Sequence, residues 1–453
     1  MRARNLDKKP YPLVIVGSGF ASFCLIAHLL KTRPEFGKQI TVIGPEPFGF
    51  GAAYGCTHRD FRLNVRAQIM RIFPDQPNDF LQWAKQEIED KEAHNPQGAF
   101  YRRSDFAAYL SALRLQLDGF DKVHFIPAQV IAAHKGAAGW RLTLDRDTAP
   151  DSHNMVEAKQ VVLATGNPPP RWPCAINGML PIDKAVENPW PGHWLASLDK
   201  TDIVTFIGGG LTSMDGIYSL ARQGHTGPIE IVLPHPVLPP KQTDWQPEAP
   251  ILWPKNIRTA SQFFRFMMMS LGSTDWTETR WQSRFEALRI HLNTAWQGLD
   301  DQAQKRLMRH AGQWWQLARF RSAPQNFEAA RAMLNSGQLR LTKGRVVQIT
   351  EQDRQFQLGL EDGQKRLADA VINCTGPAPD PLIAQMRQAG LVAPDISNRG
   401  AWIGPDFRVL DNQHARYETL FGVGAMTASS LGDVIGAGSI AKQAEQLAKI
   451  LAC

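Results

Sequence analysis

Val14-Ile15-Val16-Gly17-Ser18-Gly19-Phe20-Ala21-Ser22 is an apolar run followed by a glycine pair and then small residues. Apolar β-branched residues favour a strand, and Gly-x-Gly lets the backbone turn tightly and approach a ligand closely. The pattern departs from G-x-G-x-x-G only at its last position, where Ser22 is still small enough for close helix-to-strand packing. A helix over Ala21 to Lys31 and a second strand over Gln39-Ile40-Thr41-Val42-Ile43 complete a βαβ opening, whose right-handed crossover gives a parallel sheet. The helix start would turn free N–H groups toward a pyrophosphate, so Gly17, Ser18, Gly19, Phe20, Ala21 and Ser22 are candidate dinucleotide contacts. The acid usual at the end of the second strand is replaced by Gly44, and Glu46 is the nearest carboxylate for a ribose.

The pattern occurs twice. Ile203-Val204-Thr205-Phe206-Ile207 leads into Gly208-Gly209-Gly210-Leu211-Thr212-Ser213, again with a small residue at the third position. Each Gly turn is answered much later by a strand ending in Thr-Gly, at Ala164-Thr165-Gly166 and at Cys374-Thr375-Gly376. Ahead of each Thr-Gly strand lie matching segments, Val130-Ile131 with Trp140 to Leu144, and Val346-Val347 with Phe356 to Leu360, which read as a small antiparallel meander. Whole modules repeat, so the sequence predicts an α/β fold with two Rossmann-like dinucleotide-binding domains. Two bound dinucleotides imply electron transfer between them. The expected limits are 1–200 for the first domain, 201–372 for the second, and 373–453 for a return into the first. After the strand Ile229 to Leu233 comes Pro234-His235-Pro236, with Arg222 and Lys241 as the nearby cations, which leaves NADH and NADPH both open. Asp215 reads as hydrogen bonding within its helix rather than catalysis.

Residues 241–330 interrupt the second module with helical periodicity and Trp245, Trp253, Trp276, Trp281, Trp296, Trp314 and Trp315. Each tryptophan reads as packed core, while the insertion as a whole is placed to cover a substrate. The chain of 453 residues is 43% hydrophobic and 21% charged, ordinary values for a globular protein. Its net charge of +7 is spread along the chain, which gives nucleic-acid binding no support. Cys24, Cys56, Cys174, Cys374 and Cys453 are isolated, which disfavours a disulfide framework, a metal site and a disulfide-reductase Cys pair, and fits a reducing cytoplasm. Met1-Arg2-Ala3-Arg4 is basic without a cleavage-site pattern, and no apolar run reaches the roughly 18 residues a membrane span needs. The apolar stretch Phe263 to Leu271 is interrupted by Arg265 and reads as a buried helix. His58, His193 and His235 have no partner at catalytic or ligand spacing. Arg66, Arg71, Arg102, Arg103, Arg319 and Arg321 are the cations that would clamp phosphates or a substrate carboxylate, against the ordinary reading of exposed arginines.

The segments Gly49-Phe50-Gly51-Ala52-Ala53-Tyr54, Leu63-Asn64-Val65-Arg66-Ala67, Phe73-Pro74-Asp75 and Tyr101-Arg102-Arg103 together resemble the bacterial FAD-NAD(P)-binding family related to flavin-dependent N-hydroxylating monooxygenases. So do Gly210 to Asp215, Arg319 to Pro324 and Asn373 to Pro377. One branch of that family resembles amino-acid N-monooxygenases, including an aspartate N-oxygenating enzyme. The resemblance implies FAD in the first domain and NADPH or NADH in the second. It implies FAD contacts at Gly17 to Ser22, at the turn Gly51, Ala52 and Tyr54, and at Asn64 and Val65 beside the isoalloxazine, with Val130 facing the adenine. Asn64 is its single candidate for a catalytic side chain. Ala164-Thr165-Gly166 and Cys374-Thr375-Gly376 would be crossings between the domains. Leu420 to Gly424 and a helix starting over Leu431-Gly432-Asp433-Val434 would bring N–H groups to the flavin.

The expected activity is a cytoplasmic FAD-dependent, NAD(P)H-using monooxygenase of the N-hydroxylating type. Molecular oxygen and a small polar amine or amino acid would be its substrates. A plain NAD(P)H oxidase or electron-transfer reductase uses the same sites, and a nucleotide-binding regulator without turnover is the non-enzymatic alternative. Neither a metal nor an oligomeric state is indicated.

Overall fold

The computed structural model describes residues 9–452 apart from 57, 138, 146, 148–153, 179, 180, 182, 247, 250, 273, 274, 277, 353 and 354. Met1 to Arg4 and Cys453 lie outside the described residues.

The strand Tyr11–Val16 is the centre of the first sheet, parallel to Ile40–Ile43 on one side and to Met155–Leu163 on the other. Its side chains alternate between two cores. Leu13 and Ile15 face one, with the helix Phe20–Thr32 and the C-terminal helix Ala437–Leu451, while Val14 and Val16 face the other. A strand buried on both faces has no polar alternation, which is why this one reads as a continuous apolar run. His124–Ile126 extends the sheet beyond Ile40–Ile43, and Arg416–Gly422 and Arg408–Leu410 extend it at the opposite edge. The expected meander is the antiparallel hairpin Val130–Gly136 and Gly139–Leu144, which continues into the first half of Met155–Leu163. That long strand therefore pairs antiparallel with the hairpin at one end and parallel with Tyr11–Val16 at the other.

The second sheet is wholly parallel, in the order Ala185–Val186, Ala370–Asn373, Val204–Ile207, Ile229–Leu233, Leu339–Lys343. The helices Leu211–Arg222 and Pro324–Asn335 pack against each other beside it. Its meander, Val346–Gln352, Gln355–Leu360 and Lys365–Ala368, forms a separate four-stranded sheet with Ala175–Asn177. Ala175–Asn177 and Ala185–Val186 thus pair with strands of the second unit although they precede residue 201. After Asn373 the chain returns to the first unit, where the helix Pro381–Gln388 packs on the Val130–Gly136 strand.

The interruption of the second module contains three helices with a core of their own, Ala260–Leu271, Trp281–Gln297 and Asp301–Arg319. Trp281 and Phe285 are fully buried there, with Trp253, Trp276, Trp296, Trp314 and Trp315 packed around them. Phe263, Met267 and Leu271 point into the same core, so the apolar stretch is a buried helix face. No helix among the described residues is long and apolar enough to cross a membrane.

Candidate functional site

Both Gly turns have the same local build. Gly17 takes φ +111°, and a Cβ there would run into the carbonyl of Ala164. Gly208 takes φ +99°, and its Cβ would stand 2.7 Å from the carbonyl oxygen of Cys374. Each turn therefore needs glycine twice over, for the positive φ and for the approach of its Thr-Gly strand. The small third positions are also hydrogen-bonded. Ser22 Oγ donates to Gly17 O at 2.6 Å, and Ser213 Oγ donates to Gly210 O at 2.7 Å. Neither the helix at Phe20 nor the helix at Leu211 has a side-chain cap, so their first N–H groups remain available to a ligand.

A cavity of about 1680 Å3 runs from the first Gly turn into the seam between the units. It brings together Gly17, Ser18, Gly19, Phe20, Ala21, Glu46, Gly51, Ala52, Tyr54, Asn64, Val65, Val130, Ala164, Thr165 and Gly166, with Leu211, Thr212 and Gly376 of the second unit. A cradle that accepts no Cβ at Gly17, opens onto Gly51 and continues to Val130 fits an extended dinucleotide such as FAD. Ser22, Gly208, Gly209, Gly210, Ser213, Cys374, Thr375 and Gly432 lie behind or beside this surface rather than on it. Thr375 is braced from behind, since its Oγ1 donates to Asn373 Oδ1 at 2.7 Å and Asn373 Nδ2 donates to Arg171 O at 3.0 Å. Asn64 Oδ1 accepts from Ala323 N–H at 3.4 Å and so ties the cavity wall to the end of the helical insertion.

The C-terminal segment and Asp215 both depart from expectation. The C-terminal helix does not start over Leu431 to Val434. A short helix ends at Leu431, and the long one starts at Ala437, with Gly436 and Ala437 on the cavity surface. Gly432 and Asp433 instead dock on the helix Trp281–Gln297, where Asp433 N–H donates to Asn293 Oδ1 at 2.8 Å and a Cβ on Gly432 would crowd Asn293. Asp215 is not bonded within its helix alone. Its carboxylate accepts from Arg103 Nη2 at 3.2 Å and from Asn326 Nδ2 at 2.7 Å.

The arginines differ from the exposed picture. Arg71 is exposed and Arg102 half-buried, but Arg66, Arg103, Arg319 and Arg321 all line the cavity with side chains at most 11% exposed. Arg319, Asp433, Arg289, Glu286 and Arg321 form an alternating chain of charges. Arg319 Nε donates to Asp433 at 2.5 Å and Arg289 Nε donates to the other Asp433 oxygen. Arg289 Nη1 reaches Glu286 at 3.2 Å, and Arg321 Nη1 reaches the second Glu286 oxygen at 3.0 Å. Burial pushes the Arg321 guanidinium down to about 10 against the opposing pull of Glu286, with Arg319 and Arg289 adding to the downward push. The other cations near the second turn are engaged elsewhere, Lys241 with Glu328 at 2.7 Å and Arg222 with Glu92 at 2.6 Å.

Glu286, Arg289 and Asn293 were not singled out from the sequence. They belong to one stripe of the helix, 286, 289, 290, 293, 294 and 297, all on the cavity, while Trp281, Phe285, Leu288 and Leu292 fill the core behind. Apart from Ile290 the stripe is polar, and a polar stripe at helical spacing is indistinguishable in sequence from a solvated face. Trp245 also departs from the packed-core reading, since it lines the cavity with the Arg66 guanidinium 4.5 Å from its ring centre. His58 is half-buried, 4.0 Å from Asp60. Among the described residues no group of three or more His, Cys, Asp or Glu is placed to hold a metal.

Residues 14–168 match the family model described as FAD-NAD(P)-binding. The match spans the segments Gly49 to Tyr54, Leu63 to Ala67, Phe73 to Asp75 and Tyr101 to Arg103, while the segments from Gly210 onward lie outside it. No curated protein sequence matches. Among solved structures, the ornithine N-hydroxylase of Kutzneria sp. 744 superposes with a TM-score of 0.64 at 13% identity, covering 98% of this chain and 99% of that one. The cadaverine monooxygenase of Erwinia amylovora gives 0.66 at 15% identity over 98% and 95% of the two chains. L-lysine 6-monooxygenase from Pseudomonas syringae gives 0.62 at 15% identity over 98% and 99%. The chain therefore has the same overall α/β fold as those three enzymes.

Proposed function

We propose that the chain is an FAD-dependent, NAD(P)H-using monooxygenase that N-hydroxylates a small polar amine or amino acid. The observation that carries this reading is the continuity of the cavity. It joins a first Gly turn, a second unit carrying the same turn, and a polar wall from the helical insertion. Three of the structures that share the fold are named as an ornithine N-hydroxylase, a cadaverine monooxygenase and an L-lysine 6-monooxygenase, which supports the reaction class.

In this reading the N-terminus of Phe20–Thr32 binds the FAD pyrophosphate, Glu46 the ribose, and Val130 the adenine side, with Asn64 and Val65 against the ring. The start of Ala437–Leu451 turns uncapped N–H groups and a helix dipole toward the same cavity. Gly208 to Ser213 hold the nicotinamide nucleotide at the second helix start. FAD, when bound, supplies hydride acceptance and dioxygen activation. The protein's own share is to align the two nucleotides, hold the amine, and exclude water, for which the insertion helices form the outer wall. The balance is amine, dioxygen, NAD(P)H and a proton giving hydroxylamine, water and NAD(P)+.

The test is oxidation of NADPH and of NADH by FAD-supplemented protein, followed with an amine panel and with separate assays for hydroxylamine and hydrogen peroxide. Hydroxylamine formed in step with nucleotide oxidation is the expected result. Peroxide alone would make the protein an oxidase, and failure of both nucleotides to bleach the flavin would make it a nucleotide-binding regulator.

A further inference from the structure

We infer that the substrate of this site carries a carboxylate, and that Arg321, with Arg66 beside it, is the anchor for that group. The inference rests on the oxygenating reading of the cavity. Its basis is a charge imbalance in a buried place. The chain Arg319, Asp433, Arg289, Glu286, Arg321 ends in an arginine at both ends, so it holds one more cation than anion.

Arg321 is the member of the chain that lines the cavity with a donor no described residue satisfies. Its side chain is 3% exposed, Nη1 donates to Glu286 and Nε to Ala318 O at 3.2 Å, yet Nη2 has no hydrogen-bond partner among the described residues. The faces of Trp281 and Phe285 flank the guanidinium at 5.0 and 5.3 Å and offer no oxygen. Arg66, whose charge also interacts with Glu286, likewise has a buried Nε without a partner, and its carboxylate partner Asp244 is half exposed. A buried charged donor left unpaired is costly, and an incoming carboxylate removes that cost.

The cluster also disfavours the alternative of a second ammonium group. Each of its carboxylates, Glu286 and Asp433, already takes two arginines, so a diamine would bring its distal cation to three guanidiniums whose acids are both engaged. Location favours substrate over nucleotide phosphate. Arg66 follows Asn64 by two residues, and Arg321 precedes by two the Ala323 whose N–H donates to Asn64. Both phosphate-binding turns are on other elements.

The experiment uses the full chain loaded with FAD and two matched pairs, L-lysine with cadaverine and L-ornithine with putrescine. Succinate serves as a carboxylate without an amine, and inorganic phosphate and NADP+ as competing anions. The expected result is a rise in melting temperature with the amino acids and succinate, and at least tenfold weaker binding of each diamine. R321K, which keeps the buried charge but not the guanidinium fork, is expected to raise KM for the amino acid about tenfold and to leave the diamine value within about twofold. Diamines binding as well as their amino acids, no stabilisation by any carboxylate, or equal changes in both KM values would overturn the inference. Stabilisation by phosphate and NADP+ but not succinate would overturn it too, by assigning Arg321 to the nucleotide. Succinate binding does not depend on oxygenation, so absence of hydroxylamine from every amine would remove the oxygenase reading and leave this test standing.

Discussion

Arg103 Nη2 stands 3.2 Å from Asp215 Oδ2, and this buried pair joins the helix Arg103–Gln116 of the first unit to the helix Leu211–Arg222 of the second. Burial lifts the Asp215 carboxyl to about 6, although Arg103 and Asn326 both pull it down. A folded value above the ordinary 3.8 means the folded chain takes up this proton more readily than the unfolded one. The contribution therefore favours folding fully below about pH 4 and is lost as pH rises through about 6. D215N removes the titration, so the variant is expected to gain on the wild type between pH 4 and 7. Chemical denaturation at each pH measures this. A variant that loses ground over that range would show that the ion pair outweighs the burial.

The paired glycines predict separable losses. In G17A the new methyl meets the Ala164 backbone at a φ that disfavours side chains, and FAD retention is expected to fall below detection after gel filtration. In G208A the same conflict arises against Cys374 in the other unit. FAD content there is expected to stay at the wild-type level while KM for NAD(P)H rises by about tenfold or more, equivalent to about 1.4 kcal/mol. Loss of FAD from both variants would mean the two turns do not serve separate nucleotides.

These glycines were legible in the sequence because what they satisfy is local: a positive φ and a tight turn after an apolar strand. The core of the insertion was legible for a similar reason, since Trp281, Phe285, Leu288 and Leu292 recur at helical spacing. The charge chain was not legible, because its members come from 286, 289, 319, 321 and 433 and acquire meaning only when folding brings them together. An arginine is exposed by default, and nothing near Arg321 in sequence announces that Glu286 will bury with it. The Ala175–Asn177 and Ala185–Val186 strands escaped for want of length, being too short for any alternation to show.

The insertion is expected to depend on its own core. Phe285 is fully buried, packs 5.9 Å from the Trp315 ring, and lies beneath the Arg321 guanidinium. F285A leaves a cavity at that point and should cost about 3–5 kcal/mol, read by urea unfolding followed through tryptophan fluorescence. A cost under about 1 kcal/mol would indicate that the surrounding helices collapse into the space.

Asp433 supplies the opposite pH dependence to Asp215. Burial alone would raise its carboxyl, but Arg319 and Arg289 overcome that and hold it below the ordinary 3.8. A depressed folded value contributes stability that is present above about pH 4 and is lost as pH falls through the folded value. In D433N the two guanidiniums face each other across an uncharged amide in a buried place, and removing one partner from such a group costs about 3–5 kcal/mol. The wild type is therefore expected to exceed D433N by that order at pH 7, with the margin narrowing below about pH 4. Wild-type and variant unfolding curves taken from pH 3 to 7 alongside those of D215N provide the check. The two differences should slope in opposite directions, and parallel slopes would show that one of the two carboxyls has been given the wrong sign.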